Sequence, residues 1–201
     1  MREPDASASP APAWLRDERT EIAAERILDA AAELFVVRGV ATTGMAEVAK
    51  AAGCSRATLY RYFENRRALH LAFVHREARR LGEQLSMQVA DIADPRRRVV
   101  EATLGAVREV RQTPTLAAWF GLGDAGIASE LAGTSEVIDV LGTAFLADSG
   151  LGDHEELSRR SRWLVRVIVS LLTVPGADEA DERAMIEQFV VPVLLGPTRG
   201  D

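Results

Sequence analysis

The stretch "AAGCSRATLYRYF", residues 51–63, crowds two tyrosines, two arginines and a phenylalanine behind a glycine and a serine. Upstream of it, Met45, Val48, Ala49 and Ala52 fall at i, i+3, i+4, i+7 and predict a short helix entered at Thr43 or Gly44, with Glu47 in its first turn. Gly53 interrupts that helix and Ser55 offers an N-cap to the next one, in which Leu59 and Phe63, four apart, form a single buried side. Two short helices about a glycine-containing turn predict a helix-turn-helix. With Leu59 and Phe63 turned inward, the outward side carries Arg56, Ala57, Thr58, Tyr60, Arg61 and Tyr62. A groove-reading helix meets base edges near its N-terminal end: Arg56 can fork onto a guanine, and the methyl of Ala57 or Thr58 can meet that of a thymine. Tyr60, Arg61 and Tyr62 lie further along and suit phosphate oxygens, with Arg61 also in reach of a base.

Charge points the same way. The chain has 201 residues and a net charge of −6, yet residues 1–80 hold 13 basic against 11 acidic side chains and residues 81–201 hold 11 against 19. Residues 50–80 alone carry Lys50 and seven arginines against Glu64 and Glu77, a local +6. A basic patch at one end fits a polyanionic partner there, against the plainer reading of a solvated basic face. Two tyrosines and two arginines on one short exposed face are costly to explain as packing. The one cysteine, Cys54, has no partner for a disulfide or a shared metal, which fits a reducing compartment. Residues 1–16, rich in Ala, Ser and Pro, read as a flexible arm without the apolar run of a signal peptide, and no window is apolar enough for a membrane span; the expectation is a cytoplasmic protein.

Around this segment, "RILDAAAELFVVRGVATTGMAEVAKAAGCSRATLYRYFENRRALHLAF", residues 26–73, resembles the DNA-binding region of the TetR (tetracycline repressor) family of bacterial transcription regulators. The shared features are "AAELF" followed by a glycine, the "ATT…EVA" entry to the second helix, "AGCS" at the turn, "TLYRYF", and an Asn-basic pair before "AL". The resemblance implies an all-helical homodimer. Its expected units are a helix-turn-helix domain at residues 17–65, and a ligand-binding and dimerisation domain at residues 66–201 joined to it by a long helix. Carried over by position, Ser55, Arg56, Ala57, Thr58, Tyr60, Arg61 and Tyr62 match the family's recognition helix, and Arg66 matches a phosphate-contacting residue. Arg66 also follows Asn65, a good N-cap, at a helix start that favours an anion. Gly44, Met45 and Ala46 depart from the hydroxyl or basic residues of many members, which leaves Thr43 as the expected phosphate contact before the second helix.

The rest of the chain reads as helices. Ile27, Ala31, Leu34 and Phe35 stripe a first helix over about Asp17–Arg38, capped at Gly39. A fourth runs from Arg66 to about Asp91. A fifth starts at Asp94–Pro95 and stops before Pro114. Thr115 to about Leu131 predicts one or two short helices broken near glycines 121, 123 and 126, and Ser135 to about Ala147 another. In "WLVRVIVSLLTV", residues 163–174, apolar residues point every way, so that helix must be covered nearly all round. Internal burial would do this, but the resemblance implies a four-helix dimer interface from about 155–174 and 179–195. Phe73, Trp119, Phe120 and Phe145 are candidates for an apolar ligand pocket, each with plain core packing as the alternative, and Asp124, Asp139, Arg108 and Arg111 either orient a ligand or are surface.

The expected activity is therefore a repressor on a pseudo-palindromic double-stranded DNA operator, released by a small, largely apolar effector, with no metal or cofactor. The alternatives are a helix-turn-helix regulator without effector, a helix-turn-helix used for protein contacts, and an enzyme. For the last, His70 and His75 are five apart and do not share a helix face, His154 has no partner motif, and no nucleophile elbow or phosphate-binding glycine loop is present.

Overall fold

A computed structural model describes residues 13–121, 123–147 and 153–196, with side chains described from residue 20 onward. It is all-α. The elements are α1 (Ala13–Arg38), α2 (Met45–Ala51), α3 (Arg56–Tyr62), α4 (Arg66–Val89), α5 (Pro95–Gln112), α6 (Pro114–Ala117) with a 3-10 turn (Ala118–Phe120), α7 (Ala125–Thr134), α8 (Glu136–Ala147), α9 (His154–Thr173) and α10 (Glu179–Met185). A π turn (Ile186–Val190) continues α10 into α11 (Val191–Leu195).

Local chemistry sets most boundaries. Gly39 ends α1 at φ +85° and Gly53 turns α2 into α3 at φ +68°, left-handed conformations that glycine adopts without strain. Ser55 accepts from the Thr58 amide (3.0 Å) and Asn65 from the Ala68 amide (2.8 Å), capping α3 and α4. Gly44 is the N-cap of α2, and Glu47 reaches back to accept from its amide at 2.9 Å. Asp94 caps α5 with Pro95 at its first position. α1 departs from expectation by starting at Ala13, so residues 13–16 are helix rather than arm; residues 1–12 lie outside those described. Pro192 lacks the N–H that a regular helix would bond, and the turn before it is π, with the Val191 amide donating to the Ile186 carbonyl.

Two cores form. The first joins Ile27, Ala31 and Phe35 of α1, Val48, Leu59 and Phe63 of the helix-turn-helix, Leu69 and Phe73 of α4, Trp119, and Leu131 of α7. Its centre is aromatic: Phe35 meets His70, Phe73 and Trp119 edge-on at 5.3–5.5 Å, and Phe73 stacks on Trp119 at 5.4 Å. Truncating Phe35, fully buried there, would cost about 3–5 kcal/mol. The unit holding the recognition helix thus does not close at residue 65, because α4, the 3-10 turn and α7 supply part of its core. The second core packs Val99, Val100, Leu104 and Val107 of α5 against Leu146, Leu164, Leu171 and Ile186, Val190, Val191 and Leu194 of the last helix.

Charged ties fix the elements. Arg76 of α4, nearly buried, donates to Glu25 (3.0 Å) and Asp29 (2.8 Å) of α1 and to its neighbour Glu77 (2.8 Å). Arg111 forks onto buried Glu182 at 2.6 and 3.0 Å and donates to the Leu171 carbonyl at 2.8 Å; Arg108 pairs with Glu179 at 2.8 Å. Both arginines are structural ties, not ligand anchors. The Arg111 guanidinium lowers the Glu182 pKa from its ordinary value against the opposing effect of burial.

Candidate DNA interface and effector cavity

α3 is only seven residues long, and two anchors orient it: Leu59, fully buried, and Phe63 just beyond its end. That leaves Ser55, Arg56, Ala57, Tyr60 and Arg61 exposed, with Thr58 and Tyr62 half-buried. The Ser55 and Thr58 hydroxyls are 2.9 Å apart and hydrogen-bond each other, and the Arg61 guanidinium sits over the Tyr62 ring at 5.6 Å. Arg66, exposed at the start of α4, donates to the Ala41 carbonyl at 2.8 Å and so stands beside the α1–α2 turn, near the free N–H groups of its own helix. Lys50 is exposed on α2 and belongs to the same cationic surface, a position that the sequence reading counted as charge but did not single out.

Thr43 is a correction. Its side chain is 1% exposed and its hydroxyl donates to the Gly39 carbonyl at 2.8 Å, so it closes the α1–α2 turn and has no hydroxyl to offer a phosphate.

The same turn is held from the other side by Asp124, 84 residues downstream. Its carboxylate accepts from the amides of Val40 (3.1 Å) and Ala41 (2.7 Å), and it is itself buried. Nothing in the sequence near Asp124 signals a partner so distant. Next to it His70 is buried among Phe35 and Trp119, and its Nε2 has no hydrogen-bond partner among the described residues. Burial, reinforced by the Arg66 charge and opposed by Asp124, lowers its pKa from 6.5 to about 4, so His70 is neutral at pH 7.

Between the two cores lies a cavity of about 600 Å³, walled by α4, α5, α8 and α9, with Phe120 from the 3-10 turn and Ala132 from α7. Its lining is overwhelmingly apolar, as small-molecule sites are. Of the four aromatic candidates, Phe120 and Phe145 line it. Phe73 and Trp119 do not: both are buried in the first core, stacked on one another, because their sides of α4 and the 3-10 turn face α1. Asp139 lies outside this lining too; it accepts from the Ser158 hydroxyl at 2.7 Å.

The helix of residues 163–174 divides its apolar faces three ways. Leu164 and Leu171 enter the second core, Val165, Ile168, Val169 and Leu172 line the cavity, and Trp163 and Val174 remain exposed. Phe189 and Val193, four apart on the last helix, are exposed as well, at 67% and 57%.

A seven-residue exposed helix rich in arginine and tyrosine, set on a helix-turn-helix and tied to a second helical unit with an apolar cavity, defines a DNA-binding regulator. The family model of bacterial regulatory proteins, tetR family, matches residues 27–73. An uncharacterised HTH-type transcriptional regulator of Mycobacterium tuberculosis is 54% identical over 181 residues, 90% of each chain. The chain belongs to the TetR family of transcriptional regulators, whose members are not enzymes. Among solved structures, the repressor AlkX of Dietzia, implicated in biodegradation of n-alkanes, superposes with a TM-score of 0.63 at 20% identity, over 84% of this chain and 93% of that one. The repressor FadR of Thermus thermophilus, in complex with lauroyl-CoA, gives 0.62 at 23% identity, over 89% and 96%. Both share the fold. No helix among the described residues is long and apolar enough to cross a membrane.

Proposed function

We propose that the protein is a cytoplasmic repressor that binds a pseudo-palindromic operator as a homodimer and leaves it when a small, largely apolar molecule fills the cavity. The observation that carries this reading is the segment 118–124. Phe120 lines the cavity, Trp119 lies in the aromatic core under the helix-turn-helix, and Asp124 holds the α1–α2 turn beside Arg66. A molecule that displaces Phe120 therefore shifts groups that set the position of α1, α4 and, through them, α3. A coupling of about 1–3 kcal/mol is enough for release. The n-alkane link of AlkX and the lauroyl-CoA bound to FadR support an apolar effector.

On DNA, Arg56, Ala57 and Thr58 take base edges. Ser55, Tyr60, Arg61, Tyr62 and Arg66 take phosphates, with Arg61 also within reach of a base. The exposed apolar residues Trp163 of α9, Val174 just past its end, and Phe189 and Val193 in the last turns of the chain supply the dimer face, four helices about a two-fold axis. That symmetry would set the recognition helices about 34 Å apart, one turn of B-DNA. The test is to select an operator from random DNA, then titrate ligands into the complex while following dimer mass. Release with the dimer intact is expected. A ligand that binds with equal affinity with and without operator refutes the mechanism, and a monomer at micromolar concentration refutes the geometry.

A further inference from the structure

The cavity has a direction and a length. Its α4 wall runs from Ala78 to Ala90 and its α5 wall from Arg98 to Val110; each covers twelve residue steps, which at ~1.5 Å per residue makes about 18 Å. Ala78 and Gly82 on α4, and Ala102 and Ala106 on α5, put small side chains one turn apart, so the wall these two packed helices make is shallow along its length, and the trench runs between it and α8 and α9, with Leu141 of α8 over Gly82. Spreading 600 Å³ over that length gives a cross-section of about 30 Å², room for one unbranched chain.

The two ends differ. At one, Ser86 and Ala90 are exposed and Arg98 stands half-buried; at the other, buried Val110 and half-buried Phe120 line the trench. Arg98 is the one ionised side chain among the described lining residues. A guanidinium at the rim of an apolar wall favours an anion over an uncharged group, and its five donors leave capacity for a carboxylate or phosphate besides the contact it already makes within the protein.

We infer that the effector is a straight acyl chain of about fourteen carbons with one anionic head, the head at Arg98 and the chain's end against Phe120; the length follows from an advance of ~1.3 Å per tetrahedral carbon. This rests on reading the cavity as the effector site. A free long-chain carboxylate sets its charge at Arg98; its coenzyme A thioester sets an uncharged carbonyl oxygen there, still an acceptor for the guanidinium, and carries its phosphates on the arm beyond the open end.

The experiment is calorimetric titration of the full chain, without DNA, with straight-chain carboxylates of increasing length below their aggregation thresholds, the matching primary alcohols, and coenzyme A thioesters. Affinity should rise roughly fourfold per carbon, the ~0.8 kcal/mol of a buried methylene, and level off near fourteen carbons. The alcohols should bind at least roughly tenfold more weakly, since a hydrogen bond to a charged group is worth more than ~1.4 kcal/mol. Arg98→Gln should remove the acid–alcohol difference and keep the length dependence. Ala106→Phe blocks the trench eight residues, about 12 Å, from Arg98 and should move the plateau to about nine carbons.

Tighter binding by the acid or by the thioester, with the plateau in place, supports the inference and identifies which form is sensed. Affinity independent of length, acids no better than alcohols, or binding by neither acid nor thioester overturns it, and the unmodified chain alone reads all three if the variants fold poorly. Adding operator separates the two readings. Acids that obey the length rule but leave the operator complex intact overturn the release mechanism and not the ligand class. Uncharged apolar compounds that release DNA while the acids are inert overturn the class and not the release.

Discussion

Asp124→Ala removes the acceptor for two amides of the α1–α2 turn. Val40 is fully buried, so its N–H would be left without partner or water, a loss of about 1–3 kcal/mol; Ala41 is exposed, so water replaces its contact and the loss is about 1 kcal/mol. The sum, about 2–4 kcal/mol, corresponds to a fall in Tm of about 5–15 °C for a chain of this size. Asp124→Asn keeps one oxygen acceptor and should fall about halfway between. Because the turn also carries Ala41, whose carbonyl accepts from Arg66, operator affinity should drop beyond what a fully folded population explains. Differential scanning calorimetry measures the first effect, and fluorescence anisotropy with labelled operator, at about 20 °C below the variant's Tm, measures the second. A variant that melts within about 0.5 kcal/mol of the parent refutes the claim that this carboxylate holds the turn.

His70 supplies a pH test. Its folded pKa of about 4 lies below the unfolded value of about 6.5, so the unfolded chain gains the proton first, and the stability from neutral His70 is complete above pH 6.5 and lost as pH falls toward 4. Between pH 7 and 5 this amounts to about 2 kcal/mol, and His70→Phe should flatten that part of the urea-denaturation profile. The lowered pKa of Glu182 has the same sign at lower pH: its contribution is present above the usual carboxylate range and lost as pH falls through its folded value, so Glu182→Gln should weaken the acid dependence remaining below pH 4.5. Arg56→Ala should relax base preference at one position of each half-site by ~1–3 kcal/mol, whereas Arg66→Ala should lower affinity evenly across sequences and reduce the salt slope by about one; an unchanged slope refutes a phosphate role. Phe189→Asp should shift sedimentation toward monomer and abolish operator binding while leaving the exposed position's own fold stability within about 0.5 kcal/mol.

What the sequence made legible was local. Gly39, Gly53, Ser55, Asn65 and the Asp94–Pro95 pair each act within four residues of themselves, so caps and turns could be read directly. The side of α3 that faces out followed from the four-residue spacing of Leu59 and Phe63. For Phe73 and Trp119 the sequence left pocket and core both open, because helical spacing shows that an aromatic is buried but not whether it faces a neighbouring core or a void; the structure places both in the first core. Thr43 was misread for a related reason: a hydroxyl before a helix can serve a phosphate or the preceding carbonyl, and only the turn's path decides. Asp124 and Arg98 depend on contacts that the topology makes across the chain. The start of α1 was set four residues late because an Ala- and Pro-rich stretch reads as an arm until Pro12 is past, after which nothing in Ala13–Arg16 opposes helix.

The π turn before Pro192 works as a vernier between α10 and α11. It holds one residue more than the α-helical turn it replaces, so everything after it is turned by about 100° from where an uninterrupted helix would put it. That offset keeps Val191 and Leu194 in line with Ile186 and Val190 on the second core and leaves Val193 outside beside Phe189. Deleting Gln188 would restore ordinary winding and leave Val191 and Leu194 on the core, whereas ordinary winding with Gln188 retained would dial the end of the chain out of register, bringing Val193 toward α5 and Leu194 toward water. The shape of the exposed face is therefore fixed by residue count in this one turn as much as by which residues occupy it.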